Sequence, residues 1–181
     1  FFFTRLPLPV LDFRGRGPAA AIWAAPVAGL AIGLIGAIVY ATAERFGLAM
    51  GPAAALALAA TLTTTGCLHE DGLSDVADGF GGGNSRGRKL EIMRDSRIGA
   101  YGAATLTLSL LIRWSALSEF VDPTQALFAL VAAHAASRGM LGAFMHLLPS
   151  ARSEGLSAGA GAVSAETAVA GAVLGAIPLL L

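Results

Sequence analysis

The apolar positions of this chain fall in long unbroken runs, not in strict alternation or a single 3.6-residue stripe. No Asp, Glu, Lys or Arg occurs from Gly17 to Ala43, from Phe46 to His69, or from Thr167 to Leu181. A helix crossing a bilayer takes about 20 mainly apolar residues, and the first two gaps meet that requirement directly. The pattern predicts five spans: Ala20 to Ala41, Ala49 to Leu68, about Tyr101 to Phe120, about Thr124 to Leu148, and Ala162 to Leu181. Trp23 and Tyr40 stand near the ends of the first span, as aromatic-belt residues do. Gly29, Gly33 and Gly36 give it a small-residue face for close helix packing. Thr61, Thr63, Thr64 and Thr65 crowd the end of the second, where their hydroxyls can bond back to helix carbonyls. The last run stays apolar to its end, so a continuation beyond Leu181 is expected. The predicted fold is an all-α, polytopic membrane helical bundle, with residues 1–181 as one membrane domain.

Composition sharpens this. Of 181 residues, 13% are charged and 55% hydrophobic, and mean hydropathy is +0.70. Soluble domains carry about 25% charged residues, so a soluble globular or a disordered chain is excluded. Twelve basic and twelve acidic side chains sum to zero, leaving no basic excess to suggest a nucleic-acid partner. The single cysteine, Cys67, cannot form an internal disulfide, and no CxxC or Cys/His cluster supports zinc. The opening segment mixes Arg5, Asp12, Arg14 and Arg16 with Pro7 and Pro9, unlike a signal peptide. The N-terminal segment, the charged segment two spans later and the Arg152 loop two spans after that carry most of the basic residues. The positive-inside rule assigns that side to the cytoplasm. Small-residue helix faces would also permit a homo-oligomer.

The charges are concentrated. Eleven of the 24 lie between His69 and Ile98, about a sixth of the chain, and residues 69–99 form the candidate active-site segment. Asp71, Asp75 and Asp78 are spaced i, i+4, i+7, which places them within about 60° of one another on a helix. Three aligned carboxylates repel each other unless a cation sits among them, and a hard divalent ion such as Mg²⁺ takes oxygen ligands. The helix is expected to stop at Gly79 or soon after, the glycine-rich turn leaving room for a ligand. Asn84 or Ser85 can cap a second helix on which Glu91 and Asp95, i and i+4, share a face. A helical hairpin then sets Asp71, Asp75 and Asp78 opposite Glu91 and Asp95, with basic residues nearby for phosphate oxygens. The bland alternative is a solvated loop between spans, and GGG is more often a flexible turn than a phosphate cradle. Arg113, His134 and Arg138 fall within spans, where ionisable groups face protein or a water-filled cavity. Arg138 is a candidate anion contact, Arg113 a structural one and His134 a packing histidine.

At these residues the sequence resembles a known family. The string from Thr65 to Gly79, TGCLHEDGLSDVADG, and that from Lys89 to Gly99, KLEIMRDSRIG, are similar to the signatures of the cobalamin synthase family, the adenosylcobinamide-GDP ribazoletransferases. Phe3 to Pro9 and Ser137-Arg138 also resemble family patterns. The family usually has an apolar residue in place of Glu70 and glycine in place of Cys67. A more distant resemblance is to CDP-alcohol phosphotransferases, through Asp75, Asp78-Gly79, Glu91 and Asp95. The Ala-Arg pair after the glycine is missing here, the spacing is shorter, and Glu stands at the third acidic position.

The resemblance implies an integral membrane enzyme that joins adenosylcobinamide-GDP to α-ribazole, or its 5′-phosphate, with release of GMP. It implies Mg²⁺ held by Asp71, Asp75, Asp78 and Glu91, catalytic roles for Asp78 and for Asp95 as general base, and phosphate contacts from Arg86, Lys89 and Arg138. A CDP-alcohol phosphotransferase acting on a lipid alcohol, or a cation transporter, are the competing expectations; the transporter predicts acidic residues near mid-span.

Overall fold

The computed structural model describes residues 3–5 and 17–180, and every described element is helical. Arg14 and Arg16, which contributed to the topology reading, lie outside the described residues. A 3₁₀ segment, Pro18–Ala24, leads directly into α1 (Ala25–Arg45). There follow α2 (Met50–Thr65), α3 (Leu68–Gly82), α4 (Arg86–Ile92), α5 (Ala100–Ser118), α6 (Pro123–Leu147), α7 (Leu156–Ala160) and α8 (Ala165–Ala176), which ends in a 3₁₀ turn, Ile177–Leu180.

The five expected spans need correction. Two helical stretches, Pro18–Arg45 and Pro123–Leu147, are long and apolar enough to cross a membrane. A third is possible only if α2 and α3, bent by 89°, count as one broken span. The second predicted span stops at Thr65 because the backbone turns left-handed at Gly66 (φ +64°) and Cys67 (φ +58°). Glycine adopts that conformation freely; cysteine does so at a cost. The predicted third span exists as α5, but Arg113 and its Thr and Ser residues dilute its apolar character. The fifth, from Ala165 to Leu180, is an apolar helix of sub-span length.

α1 packs most extensively on α6, α6 on α8, and α1 on α2. Glycine permits the first contact: a Cβ on Gly33 would stand 2.7 Å from the Leu130 carbonyl oxygen, and one on Gly29 would collide with that of His134. The expected small-residue face of α1 is therefore its seam with α6. The core is largely alanine, with Ala53, Ala54, Ala57 and Ala126 fully buried beside Ile32 and Tyr40. The Tyr40 hydroxyl donates to the Phe120 carbonyl at 2.7 Å, tying α1 to the α5–α6 turn. Asp122 caps α6 by accepting the Thr124 N–H at 2.8 Å. The expected threonine bonds form: Thr63 and Thr64 donate to the carbonyls of Ala59 and Ala60 at 2.8 and 2.7 Å.

Thr61 lies against Gly36, so α2 flanks only the C-terminal half of α1. α3 consequently begins within the length of the bundle and not beyond its end, and His69 there interacts electrostatically with Arg138 of α6. α3 packs on α5 and α4, away from the alanine core.

Candidate active site

α3 carries the three aspartates as the spacing requires and ends at Gly82, inside the glycine-rich run where a stop is expected. The glycine-rich end is not a ligand cradle. A Cβ on Gly79 would meet Met93, and one on Gly81 would collide with the Tyr101 ring. Those glycines are filled by protein neighbours. Ser85 caps α4 as expected, its hydroxyl accepting the Arg88 N–H at 3.3 Å.

The second acidic pair differs from expectation. α4 ends at Ile92, so Asp95 is not on the same helix as Glu91. Asp95 lies in the following turn, where its carboxylate accepts from the Arg97 guanidinium at 2.6 and 2.9 Å and from the Arg97 backbone N–H at 3.0 Å. These bonds hold the Asp95 carboxyl down at about 2. Glu91 pairs with Arg88 at 2.8 Å on an exposed face. The break at Met93 sends the two acids to different surfaces.

One cleft of about 550 Å³ gathers Asp71, Asp75, Asp95, Glu70, Ser74 and Arg94, between α3, the 93–98 turn and α5, with Leu106 and Leu110 behind. Asp75 is repelled by Asp71 and Asp78 and attracted by Arg152. Glu91 and Arg86 line a separate groove of about 630 Å³ with Arg94 and Arg152. Among the described residues no group of three or more His, Cys, Asp or Glu draws together as a ready metal cluster. The donor chemistry of Asp71 and Asp75 suits a hard cation: two like charges one helical turn apart, facing a cleft.

Asp78 lines neither space. It is 9% exposed, and its carboxylate accepts the N–H groups of Gly99 at 2.7 Å and Gly102 at 2.8 Å. It thereby caps α5 from another helix, satisfying two amides that helix geometry leaves orphaned and meeting the positive end of the dipole. A Cβ on Gly102 would collide with Asp78 and crowd Ser74. The Gly99/Gly102 pair at a helix start is the sequence signal that could have announced this.

The other predicted phosphate contacts are placed differently from Arg86. Lys89 lies 4.1 Å over the Phe80 ring, a cation–π contact. Arg138 is 5% exposed and bonds to His134 at both Nδ1, 3.0 Å, and the carbonyl, 3.1 Å. Glu70 and Arg113, to which the sequence assigned no active-site role, form an ion pair at 3.1 Å between α3 and α5. Buried atoms of all three, Glu70 Oε2, Arg113 Nε and Arg138 Nε, have no hydrogen-bond partner among the described residues. Arg138 and Glu70 attract each other across this polar layer. The pairing of Glu70 with an arginine 43 residues on could be guessed only from both being ionisable in apolar surroundings.

The arrangement can therefore place carboxylates and guanidiniums on one ligand, a combination suited to a phosphorylated substrate and a divalent ion. Comparison with known proteins gives the family. The family model of CobS, cobalamin-5-phosphate synthase, matches residues 1–181. An adenosylcobinamide-GDP ribazoletransferase of Mesorhizobium japonicum is 88% identical over 180 residues, covering 99% of this chain and 70% of the relative. Relatives bearing the same name from Bradyrhizobium diazoefficiens, covering 99% of this chain and 70% of the relative, and Ralstonia nicotianae, covering 99% and 71%, are 54% and 43% identical. No solved structure matches the chain.

Proposed function

We infer the activity from one premise: this chain belongs to the cobalamin-5-phosphate synthase family. It is a transferase of cobalamin biosynthesis, joining adenosylcobinamide-GDP to α-ribazole or its 5′-phosphate. In the proposed reaction a ribazole hydroxyl oxygen bonds to the cobinamide-linked phosphorus. The bond from that phosphorus to the bridging oxygen breaks, the electron pair leaves on GMP, and the hydroxyl proton passes to a base. The observation that carries the site is the cleft in which Asp71 and Asp75 of α3 meet Asp95 and Arg94 of the 93–98 turn.

Phosphoryl transfer depends mainly on positioning and on neutralising charge. Asp71 and Asp75 would hold Mg²⁺, which would neutralise the diphosphate as a Lewis acid. Asp78 supports the site indirectly, by fixing α5 against α3. Asp95 is ionised throughout the physiological range; a carboxyl near 2 takes a proton weakly, so it would orient the hydroxyl better than it would carry the proton. Glu91, on the groove side of α4, and Lys89, over Phe80, would act from the periphery. Arg138 would face substrate only through the polar layer it shares with Glu70. The site is read as opening to the cytoplasmic side of the inner membrane, where the Arg-bearing segments converge: Arg5 packs on Gly66, and Arg152 donates to the Leu90 carbonyl at 3.2 Å.

Purified protein in nanodiscs, given adenosylcobinamide-GDP, α-ribazole and Mg²⁺, should release GMP in step with cobalamin formation. Absence of GMP release from folded protein would refute the reading. CMP release when a CDP-alcohol and a lipid alcohol replace the two substrates would favour the phosphotransferase alternative.

A further inference from the structure

The groove beside the acidic cleft has a composition of its own. Arg86, Arg94 and Arg152 line it, together with Leu90 and Glu91. Glu91 is already paired with Arg88, so it forms no ion pair with the three guanidiniums. Two of them also hold the groove together. Arg86 donates to the Ala151 carbonyl at 3.0 Å, and Arg152 donates to that of Leu90, so α4 and the 148–155 loop are clamped reciprocally. Arg94 is different: it is exposed, and among the described residues its side chain makes no hydrogen bond or ion pair. It borders both the groove and the acidic cleft. Arg152 also acts electrostatically on Asp75, so the two spaces are neighbours in charge as well as in shape.

We propose that this groove seats the guanosine diphosphate half of the substrate, with Arg94 contacting the diphosphate at the boundary and Arg86 and Arg152 framing the nucleotide side. The assignment rests on the ribazoletransferase reading and deepens it. A diphosphate laid across the boundary meets carboxylates able to hold a cation at one end and guanidiniums at the other. When the bridging bond breaks, negative charge grows on the departing GMP phosphate, which is where a planar, permanently charged donor is most effective. The groove, at about 630 Å³, is of a size that accepts a small-molecule ligand. A guanidinium with no partner among the described residues gives up no contact to them when it turns to a ligand.

The test uses Arg94→Gln and Arg94→Lys in the full-length protein in nanodiscs, since neither removes a protein hydrogen bond. Initial rates of GMP release are measured against adenosylcobinamide-GDP at saturating α-ribazole, and binding of GDP is measured by calorimetry. Loss of one charge-assisted contact predicts a KM for adenosylcobinamide-GDP raised about 10- to 100-fold in Arg94→Gln. The KM for α-ribazole should be unchanged, GDP binding should weaken in parallel, and Arg94→Lys should recover most of both. Unchanged KM and unchanged GDP binding in Arg94→Gln would overturn the proposal, as would failure of the wild type to bind GDP. If the wild type releases no GMP, the ribazoletransferase reading fails by itself. GDP binding still decides the groove: weakened in Arg94→Gln it stands, and equal in both it falls.

Discussion

The α1–α6 seam and the α3–α5 seam both bring glycine against a neighbouring helix, yet they hold for different reasons. At Gly29 and Gly33 the neighbour is the backbone of α6, and the gain is dispersion between closely packed, mostly apolar surfaces. At Gly102 the neighbour is the Asp78 carboxylate, and the gain is two charge-assisted hydrogen bonds to helix-terminal amides. A further ion pair, Glu70 with Arg113, fastens the other end of the second seam. The first seam is indifferent to charge and sets the bundle. The second is built from charges, so it can present some of them to a ligand while using others to stay closed. Neighbouring carboxylates on α3 thus do opposite work: Asp78 is spent on architecture, and Asp71 and Asp75 are left facing a cleft.

The contrast can be broken from either side. Asp75→Asn should have the largest effect, lowering kcat for GMP release by about 100- to 1,000-fold while the protein elutes as a folded species; near-normal turnover would remove Asp75 from the site. EDTA should mimic it in the wild type, with Mg²⁺ restoring activity. Gly33→Val should act on the bundle instead, costing about 3 kcal/mol through overpacking against the Leu130 carbonyl, seen as a lower melting temperature in detergent. Asp78→Asn keeps the shape but loses the charge and one acceptor, and should cost about 2 kcal/mol; its activity loss should track the fraction unfolded. An activity loss far beyond that fraction would place Asp78 in the chemistry.

Smaller effects sharpen the same distinction. Glu70→Gln should cost about 1 kcal/mol, discounted because the Arg113 side chain is 35% exposed. Combining it with Arg113→Gln should recover part of that cost in a double-mutant cycle. Arg97→Ala should barely change stability. Asp95, depressed in the fold to about 2, gives only a small, solvent-screened stabilisation, present above its unfolded pKa and lost as pH falls toward 2. Without Arg97 its carboxyl should titrate in the ordinary range, near 4, by NMR, and the acidic limb of the activity profile should move up with it. An unmoved profile would show that ionised Asp95 is not needed.

Much of this was legible along the chain. Charge-free runs mark apolar helices without reference to neighbours, since a side chain's transfer energy belongs to the residue. The i, i+4, i+7 spacing aligned the aspartates because α-helical geometry is local. The threonine back-bonds and the Ser85 cap are likewise contacts within a few residues. The second of the five expected spans failed at Gly66-Cys67, where a two-residue left-handed turn ended a helix inside an apolar run. The Glu91–Asp95 pair failed at Met93, where α4 stopped short of the needed extra turn.

Everything the residues do locally was set by the chain itself: helix, apolar length, the stripe of carboxylates, and membership of a family whose motifs it carries. Which carboxylate faces a cleft and which is consumed by a helix end depended on the fold, as did the meeting of Glu70 with Arg113 and the position of Arg94 between two spaces. Those outcomes turn on distances between residues 20 to 60 positions apart. They are fixed by how helices pack, and packing is a property of surfaces in contact that no single stretch of sequence contains.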